Sequence, residues 1–446
     1  MTAGLTYVIE TCGCQMNFHD SERIAGLLDG AGYEPARDGA AADIVVLNTC
    51  VVRGRAEEKV YTRLGEIREA RAESGWRPVV VVAGCVGQQD AAGLLRRAKF
   101  IDVVVGPGSL GRLPALLESA RTHPGPLVDT GVPDEASRAL EVSRRSDPVK
   151  AYVTVVEGCN EFCAFCVVPY TRGRERMRPK REILGEVRAA AGNGHREIQL
   201  LGQIVNRYAA PDDPGSDFAD LLREVHEVPG VERIRFASPH PRYVTPQLIR
   251  TIGELPKVCR HLHLPVQSGS TGVLKRMRRR YSREAYLDVI AAVREAIPGI
   301  ALSTDMIVGF PGETVRDFEE TLSLTASVRF HSMFSFKYSP RPNTLAFRRL
   351  ADDVSGEEKT RRIVDLQALQ RAIQIDLHQQ AVGEEVEVLV DSTSRRRQWE
   401  LSGRTGGNTV VNFPGPAAWL GRVVKVRITR AGANSLAGEP AERRPA

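Results

Sequence analysis

Short runs of Val and Ile alternate with amphipathic stretches over most of this chain, and that rhythm constrains the fold more than any other feature. Tyr7–Thr11, Ile44–Thr49, Val79–Ala83 and Val103–Val105 are short apolar runs, as strands covered on both faces should be. After the first of them, Ile24, Leu27 and Leu28 recur at helical spacing behind Asp20 and Ser21, the expected N-caps, and Gly30 and Gly32 close the pattern. Val60, Leu64 and Ile67 mark a second helix. Strands and helices in this order predict a doubly wound parallel α/β domain over residues 1–120.

Residues 121–147 are richer in Pro, Gly, Asp and Ser, show no clear period and read as a linker. From Ala151 the alternation resumes, with strands expected at Tyr152–Val156, Glu197–Leu201, Arg233–Ala237, His261–Leu264, Leu302–Val308 and Met333–Tyr338. Six such units predict a partial (β/α)6, TIM-like barrel within residues 148–380, because eight would need more chain. The tail changes character. Val386–Val390, Glu400–Ser402, Thr409–Asn412 and Val423–Ile428 are short strands without helices between them, which predicts a small all-β barrel over residues 381–446, of the kind that often binds oligonucleotides.

At 446 residues the chain is too long for one ordinary core. No apolar run approaches the ~20 residues of a membrane helix, and the first residues carry no signal pattern, so a cytoplasmic protein with no membrane contact is expected. A net charge of +6 permits a polyanionic partner without requiring one. Eight cysteines in a chain of this kind argue against a disulfide framework and, where they cluster, for metal binding or chemistry.

Cys159, Cys163 and Cys166 directly follow the first barrel strand, on the face where such barrels build active sites. Three thiolates this close suit three irons of a [4Fe–4S] cluster, with one iron left open for a substrate. The competing reading is a zinc loop, which needs a fourth ligand from elsewhere in the chain. Cys14, Cys50 and Cys85 lie far apart in sequence, yet each closes an expected parallel strand of the first domain. Adjacent strands deliver their carboxyl ends to one crevice, so these thiols again suit a cluster with one open position, against three separate buried thiols as the plainer reading. Cys259 reads as a barrel-core thiol, and Cys12 lies two residues before Cys14.

The spacing Cys159-x3-Cys163-x2-Cys166 after a strand resembles the signature of radical S-adenosylmethionine (SAM) enzymes. Gly13-Cys-Gln-Met-Asn17, Asn48-Thr-Cys50, Ala83-Gly-Cys-Val86, Glu157-Gly-Cys-Asn160, Cys166-Val-Val-Pro-Tyr-Thr-Arg-Gly173, Leu201-Gly-Gln203, His263-Leu-Pro-Val-Gln-Ser-Gly269 and Gly309-Phe-Pro-Gly-Glu313 together resemble the methylthiotransferase family. The tail, with Gly403-Arg-Thr405 and Asn412-Phe413, resembles that family's TRAM domain. Within the family the motifs are closest to the branch acting on N(6)-dimethylallyladenosine in tRNA, rather than the branches acting on threonylcarbamoyladenosine or on a ribosomal protein.

The resemblance implies two [4Fe–4S] clusters, a radical-generating one on Cys159, Cys163 and Cys166 and an auxiliary one on Cys14, Cys50 and Cys85. It implies that one SAM methylates a sulfur held at the auxiliary cluster. A second SAM is cleaved at the other cluster to a radical that takes hydrogen from C2 of adenine at position 37, and the methylthio group then moves to that carbon. Gly309 and Glu313 fall in the segment that resembles the family's SAM-contacting strand end, and Gln203, with Asn206, is expected at SAM or the base. A flavodoxin- or ferredoxin-like electron donor is implied as a partner beside tRNA. Arg172 and Arg174 begin a basic stretch that continues through Arg176, Arg178, Lys180 and Arg181, and are expected at RNA phosphates near the site. Arg395, Arg396 and Arg397 are expected on a hairpin loop of the tail for the same purpose, and Lys275–Arg280 is a second basic run. A zinc-stabilised RNA-binding module without catalysis is the alternative from another class.

Overall fold

The Val-rich runs pair in parallel, as two-sided burial requires. A computed structural model describes residues 4–37, 41–51, 54–131, 144–394, 397 and 399–441. The chain forms two compact units: Met1–Ser146 with Glu157–Asn160 and Cys166–Arg176, and Asp147–Val156 with Glu161–Phe165 and Met177–Ala446.

In the first unit, strands β1 (Thr6–Cys12), β2 (Glu34–Pro35), β3 (Ile44–Thr49), β4 (Val79–Gly84), β5 (Val103–Val105) and β6 (Leu127–Asp129) form one sheet in the order β2-β1-β3-β4-β5-β6. Every pairing is parallel. Helices α1 (Gln15–Gly30), α2 (Gly54–Ser74), α3 (Cys85–Arg97) and α4 (Leu113–Ala120) connect the strands. Two apolar clusters flank the sheet: Val45, Leu47, Val80 and Val82 pack with Val60, Leu64 and Ile67 of α2, and Ile44, Val46, Val81 and Val103 pack with Ile24 and Leu28 of α1. Each such fully buried side chain contributes roughly 1.5–3 kcal/mol, which fixes the alternate residues of each strand to opposite faces.

Two expectations need correction here. Helix α1 begins at Gln15, not behind Asp20 and Ser21, because Cys14 is its N-cap and the Asn17 side-chain oxygen accepts the Cys14 N–H at 3.3 Å. The stretch read as linker supplies β6, whose three residues are too few for any period to show; Arg112 grips Asp129 with two hydrogen bonds of 2.6 and 2.7 Å and ties the strand down.

In the second unit six parallel strands form two three-stranded sheets. Lys150–Thr154, Glu197–Leu201 and Arg233–Phe236 make one, and His261–His263, Ala301–Val308 and Ser332–Lys337 make the other. Backbone bonds between Ile234 and Lys257–Cys259 carry the arc from the first to the second. This is the expected partial barrel, its core filled by Val153, Leu200, Ile234, Leu262, Leu302 and Val308.

After the long helix Gly356–Gln380 come five strands closed into a barrel, Glu385–Thr393, Glu400–Thr405, Val410–Pro414, Leu436–Pro440 and Val423–Ala431 in spatial order. Val388, Val390, Leu401, Val411, Phe413, Val426, Ile428 and Leu436 fill it. Arg233 and Arg235 of the third barrel strand donate to backbone carbonyls of this tail, at Glu387, Arg404, Thr405 and Gly406, and Arg235 is also paired at 3.0 Å with buried Glu197.

Candidate metal centres

Strand register brings the first cysteine set together. Cys12, Thr49 and Gly84 stand side by side in the last paired row of β1, β3 and β4. Cys50 and Cys85 are the next residues along their strands, and Cys14 is two beyond Cys12. The chain runs from β1 outward to β2 and returns to the other side of β1 as β3, so this is the switch point of the sheet, where open α/β sheets bind their ligands. Gly84 makes the turn possible. Its φ is +93°, and a Cβ there would lie 2.6 Å from both the Asn48 side-chain oxygen and the Thr49 carbonyl.

A pair of buried amides locks the thiols' supports. Asn17 donates to Asn48 Oδ1 at 3.2 Å and to the Thr49 carbonyl at 3.1 Å, while Asn48 returns bonds to the Asn17 carbonyl and to Ser21. The N-terminus of α1 is thereby fastened to the end of β3. Cys14 and Cys50 lie within hydrogen-bond reach of each other; that contact lowers the Cys14 thiol to about 6 against the opposing effect of burial, and the charge of Arg172 adds to it. Burial pushes the Cys85 thiol up, with Arg172 opposing.

Arg172 is the surprise of the site. It was expected at RNA phosphates, but it is buried, its guanidinium on the Asp20 carboxylate at 2.5 Å and within hydrogen-bond reach of Cys85. Asp20, expected as a helix cap, is the partner that holds this cation among the thiols. Glu157 is set against Arg23, Arg172 and Arg176, whose charges overcome its burial and draw it down to about 2.

Cys159 is placed by its N–H on the Gly173 carbonyl at 3.1 Å. Cys166 leads into the short helix Val168–Thr171, with Val167 packed in the same apolar cluster as Cys85 and Val86. Cys163 belongs to the second unit, where its sulfur accepts from Arg279 at 3.4 Å. The next residue, Ala164, is fully buried; its N–H bonds the Met277 carbonyl and its carbonyl accepts from Ala346.

All eight cysteines are free thiols. Among the described residues no three His, Cys, Asp or Glu side chains close on one point as ligands of a single ion. Three thiolates on separate corners of an iron–sulfur cubane do not need to. The donor set, soft sulfur with a buried guanidinium beside each group, fits iron–sulfur ligation better than an oxygen-seeking ion.

The expected SAM contacts divide. Gln203 has its side-chain oxygen buried with no hydrogen-bond partner, an acceptor suited to a ligand's donor. Glu313 is buried and half engaged: one oxygen accepts from the Gly309 N–H at 2.5 Å and from Arg362 at 2.7 Å and shapes the turn at Gly309, while the other, like that of Gln203, is buried with no hydrogen-bond partner. That turn has φ +69°, and a Cβ on Gly309 would meet the Lys359 side chain at 2.3 Å. Asn206 clasps both backbone groups of His240 and is a structural amide. Burial and the charges of Arg279, Arg242, Arg207 and Arg280 hold His240 down to about 2, so it is a neutral imidazole at any working pH.

The basic runs divide as well. Arg174 is exposed, whereas Arg178 pairs with Glu186 and Lys180 with Asp213 and Glu224. Arg397 lies exposed on the hairpin between Glu385–Thr393 and Glu400–Thr405, over the ring of exposed Trp399; Arg395 and Arg396 fall outside the described residues. Asn17 and Asn48 were assigned no role from sequence, Asp20 was read only as a helix cap, and Arg279 only as one member of a basic run. Asn17 and Asn48 stand inside the quoted cysteine motifs, and that proximity was the available signal.

Comparison with known proteins matches three stretches of the chain. Residues 153–325 match the Radical SAM superfamily, 6–106 the "Uncharacterized protein family UPF0004" and 379–441 the TRAM domain. The first match implies SAM and a [4Fe–4S] cluster. A tRNA-2-methylthio-N(6)-dimethylallyladenosine synthase of Geotalea uraniireducens is 46% identical over 443 residues, covering 98% of this chain and 99% of the relative. That of Moorella thermoacetica is 44% identical over 436 residues, covering 97% and 98%. A radical SAM methyltransferase of Kitasatospora setae, solved with cobalamin and a [4Fe–4S] cluster, shares the fold with a TM-score of 0.55 at 16% identity, over 86% of this chain and 76% of that one.

Proposed function

The chain belongs to the tRNA-2-methylthio-N(6)-dimethylallyladenosine synthase family of radical SAM enzymes, and from that premise we propose that it methylthiolates C2 of N(6)-dimethylallyladenosine at position 37 of tRNA. The observation that carries the reading to this chain's own residues is the meeting of Cys14, Cys50 and Cys85 at the sheet's switch point, beside the buried charge of Arg172. A radical SAM domain alone needs only the loop of Cys159, Cys163 and Cys166. A second thiol set, bound to a second [4Fe–4S] cluster, gives the sulfur to be transferred a place to be held.

When bound, the clusters and SAM supply the radical and sulfur chemistry that an unactivated aromatic C–H demands. The protein's part is placement. The amide pair Asn17–Asn48 fixes the thiols of Cys14 and Cys50; the Glu313–Arg362 pair fixes the turn at Gly309; Gln203 presents an acceptor to the ligand. No proton relay is required, and neutral His240 supplies none. Arg174 and Arg397, the latter paired with Glu400, are among the exposed described cations placed to meet tRNA phosphates, with a flavodoxin- or ferredoxin-like protein as electron donor and the cytoplasm as the setting. Among the described residues no helix is long and apolar enough to cross a membrane.

Mass spectrometry of tRNA nucleosides from cells lacking the protein tests this directly. The 2-methylthio form is expected to vanish while dimethylallyladenosine accumulates. Unchanged nucleosides with a ribosomal protein short of one SCH3 would replace the tRNA reading. Anaerobically prepared protein is expected to hold about eight irons per chain, as two four-iron clusters require.

A further inference from the structure

The basic run Lys275-Arg-Met-Arg-Arg-Arg280 looks uniform in sequence, but the backbone divides it. Arg278 and Arg280 both take left-handed conformations, at φ 59° and 58°, which L-residues other than glycine adopt only under strain. Their side chains are exposed, in an open cleft with Lys275 and Tyr281. Between them Arg279 turns inward and is 6% exposed. Its guanidinium donates at 3.4 Å to Cys163 Sγ, at 2.9 Å to the Pro265 carbonyl and at 2.9 Å to Tyr281 Oη. Tyr281 in turn donates to the Val266 carbonyl at 2.9 Å.

A buried cation is costly unless its donors are matched, and two strained residues bracketing one inward arginine is a poor way to hold a loop by itself. A charged donor on a thiolate ligand stabilises the more negative, reduced state of an iron–sulfur cluster, so its natural effect is on potential.

We propose that Arg279 is a positioning residue that raises the reduction potential of the radical-generating cluster by donating to Cys163, and that the left-handed turns at Arg278 and Arg280 exist to aim it there. This rests on Cys159, Cys163 and Cys166 binding that cluster.

The test uses the full chain with Cys14, Cys50 and Cys85 replaced by Ala, so that one cluster reports alone. If this protein takes up no iron–sulfur cluster, the ligand assignment itself fails. If it does, redox titration followed by electron paramagnetic resonance compares it with Arg279→Gln and Arg279→Lys. The expected result is a more negative midpoint for Arg279→Gln, a smaller shift for Arg279→Lys, and SAM cleavage that is slow with dithionite and recovers with the stronger reductant Ti(III) citrate. An unchanged midpoint in an Arg279→Gln protein with full iron content overturns the inference. Should that variant lose iron, protein retaining Arg279 and grown with 15N-arginine decides: a weak 15N coupling to the reduced cluster is expected, and its absence overturns the inference equally.

Discussion

Arg172 and Arg174 are two residues apart and identical in composition, yet the structure gives them opposite surroundings. Arg172 compensates Asp20, which is 2% exposed, so Arg172→Ala leaves a carboxylate buried without its cation. The expected loss is about 3 kcal/mol in urea unfolding, together with lower iron uptake at the first cysteine set. Arg174→Ala is expected to leave the unfolding midpoint within error and to reduce the salt dependence of tRNA binding by about one counterion. Equal stability losses in the two variants would remove the distinction. The cysteines themselves were legible because thiol spacing and strand ends carry their meaning in sequence. The direction of an arginine does not: Arg172 and Arg279 read as members of basic runs, Arg172 at RNA phosphates, since only tertiary contact with Asp20 or Cys163 says which member turns inward.

At the scale of elements, Lys150 of the first barrel strand reaches Asp391 of the tail at 3.2 Å and Asp147 at 3.3 Å. Burial lowers the affinity of Lys150 for its proton, but Asp391 and Asp147 overcome this and raise it above the ordinary lysine value. A raised lysine stabilises the fold fully below that ordinary value and ceases to do so as pH climbs through the raised one. Stability is therefore expected to fall in the alkaline range above the ordinary lysine titration, and Asp391→Asn is expected to cost about 2 kcal/mol at neutral pH while flattening that alkaline fall. Urea unfolding followed from neutral to alkaline pH measures both; a variant with the same alkaline slope as the parent would contradict it. Among the elements the sequence reading missed are two strands whose presence a sheet edge explains. Leu127–Asp129 and Leu436–Pro440 are too short to show a period, and the second carries Gly438 and Pro440, which disfavour strands except at edges and bulges. Both exist because a sheet edge was available to pair with: the outer edge of β5 for one, and the gap between Val410–Pro414 and Val423–Ala431 that closes the tail barrel for the other.

For the molecule as a whole, the two cysteine sets predict separable failures. Replacing Cys159, Cys163 and Cys166 by Ala is expected to abolish SAM cleavage. Replacing Cys14, Cys50 and Cys85 is expected to leave 5′-deoxyadenosine formation in place and stop methylthiolation, read by chromatography of the nucleoside products. Modified tRNA from the second variant would refute the auxiliary assignment. The tail was legible as a separate element because its apolar residues change period, whereas the first two α/β stretches share one rhythm and were separated only by the aperiodic residues between them. Much of what joins the tail to the barrel was not legible, because it is made of backbone carbonyls. Arg233 and Arg235 seize the tail at four such carbonyls, which no side-chain pattern in residues 385–441 betrays. The tail is thus held by its backbone, as a stop on a jig holds a workpiece. Because the hold is on carbonyls, changes of side chain at Glu387, Arg404 and Thr405 leave its bonds in place, whereas loss of Arg233 or Arg235 removes them.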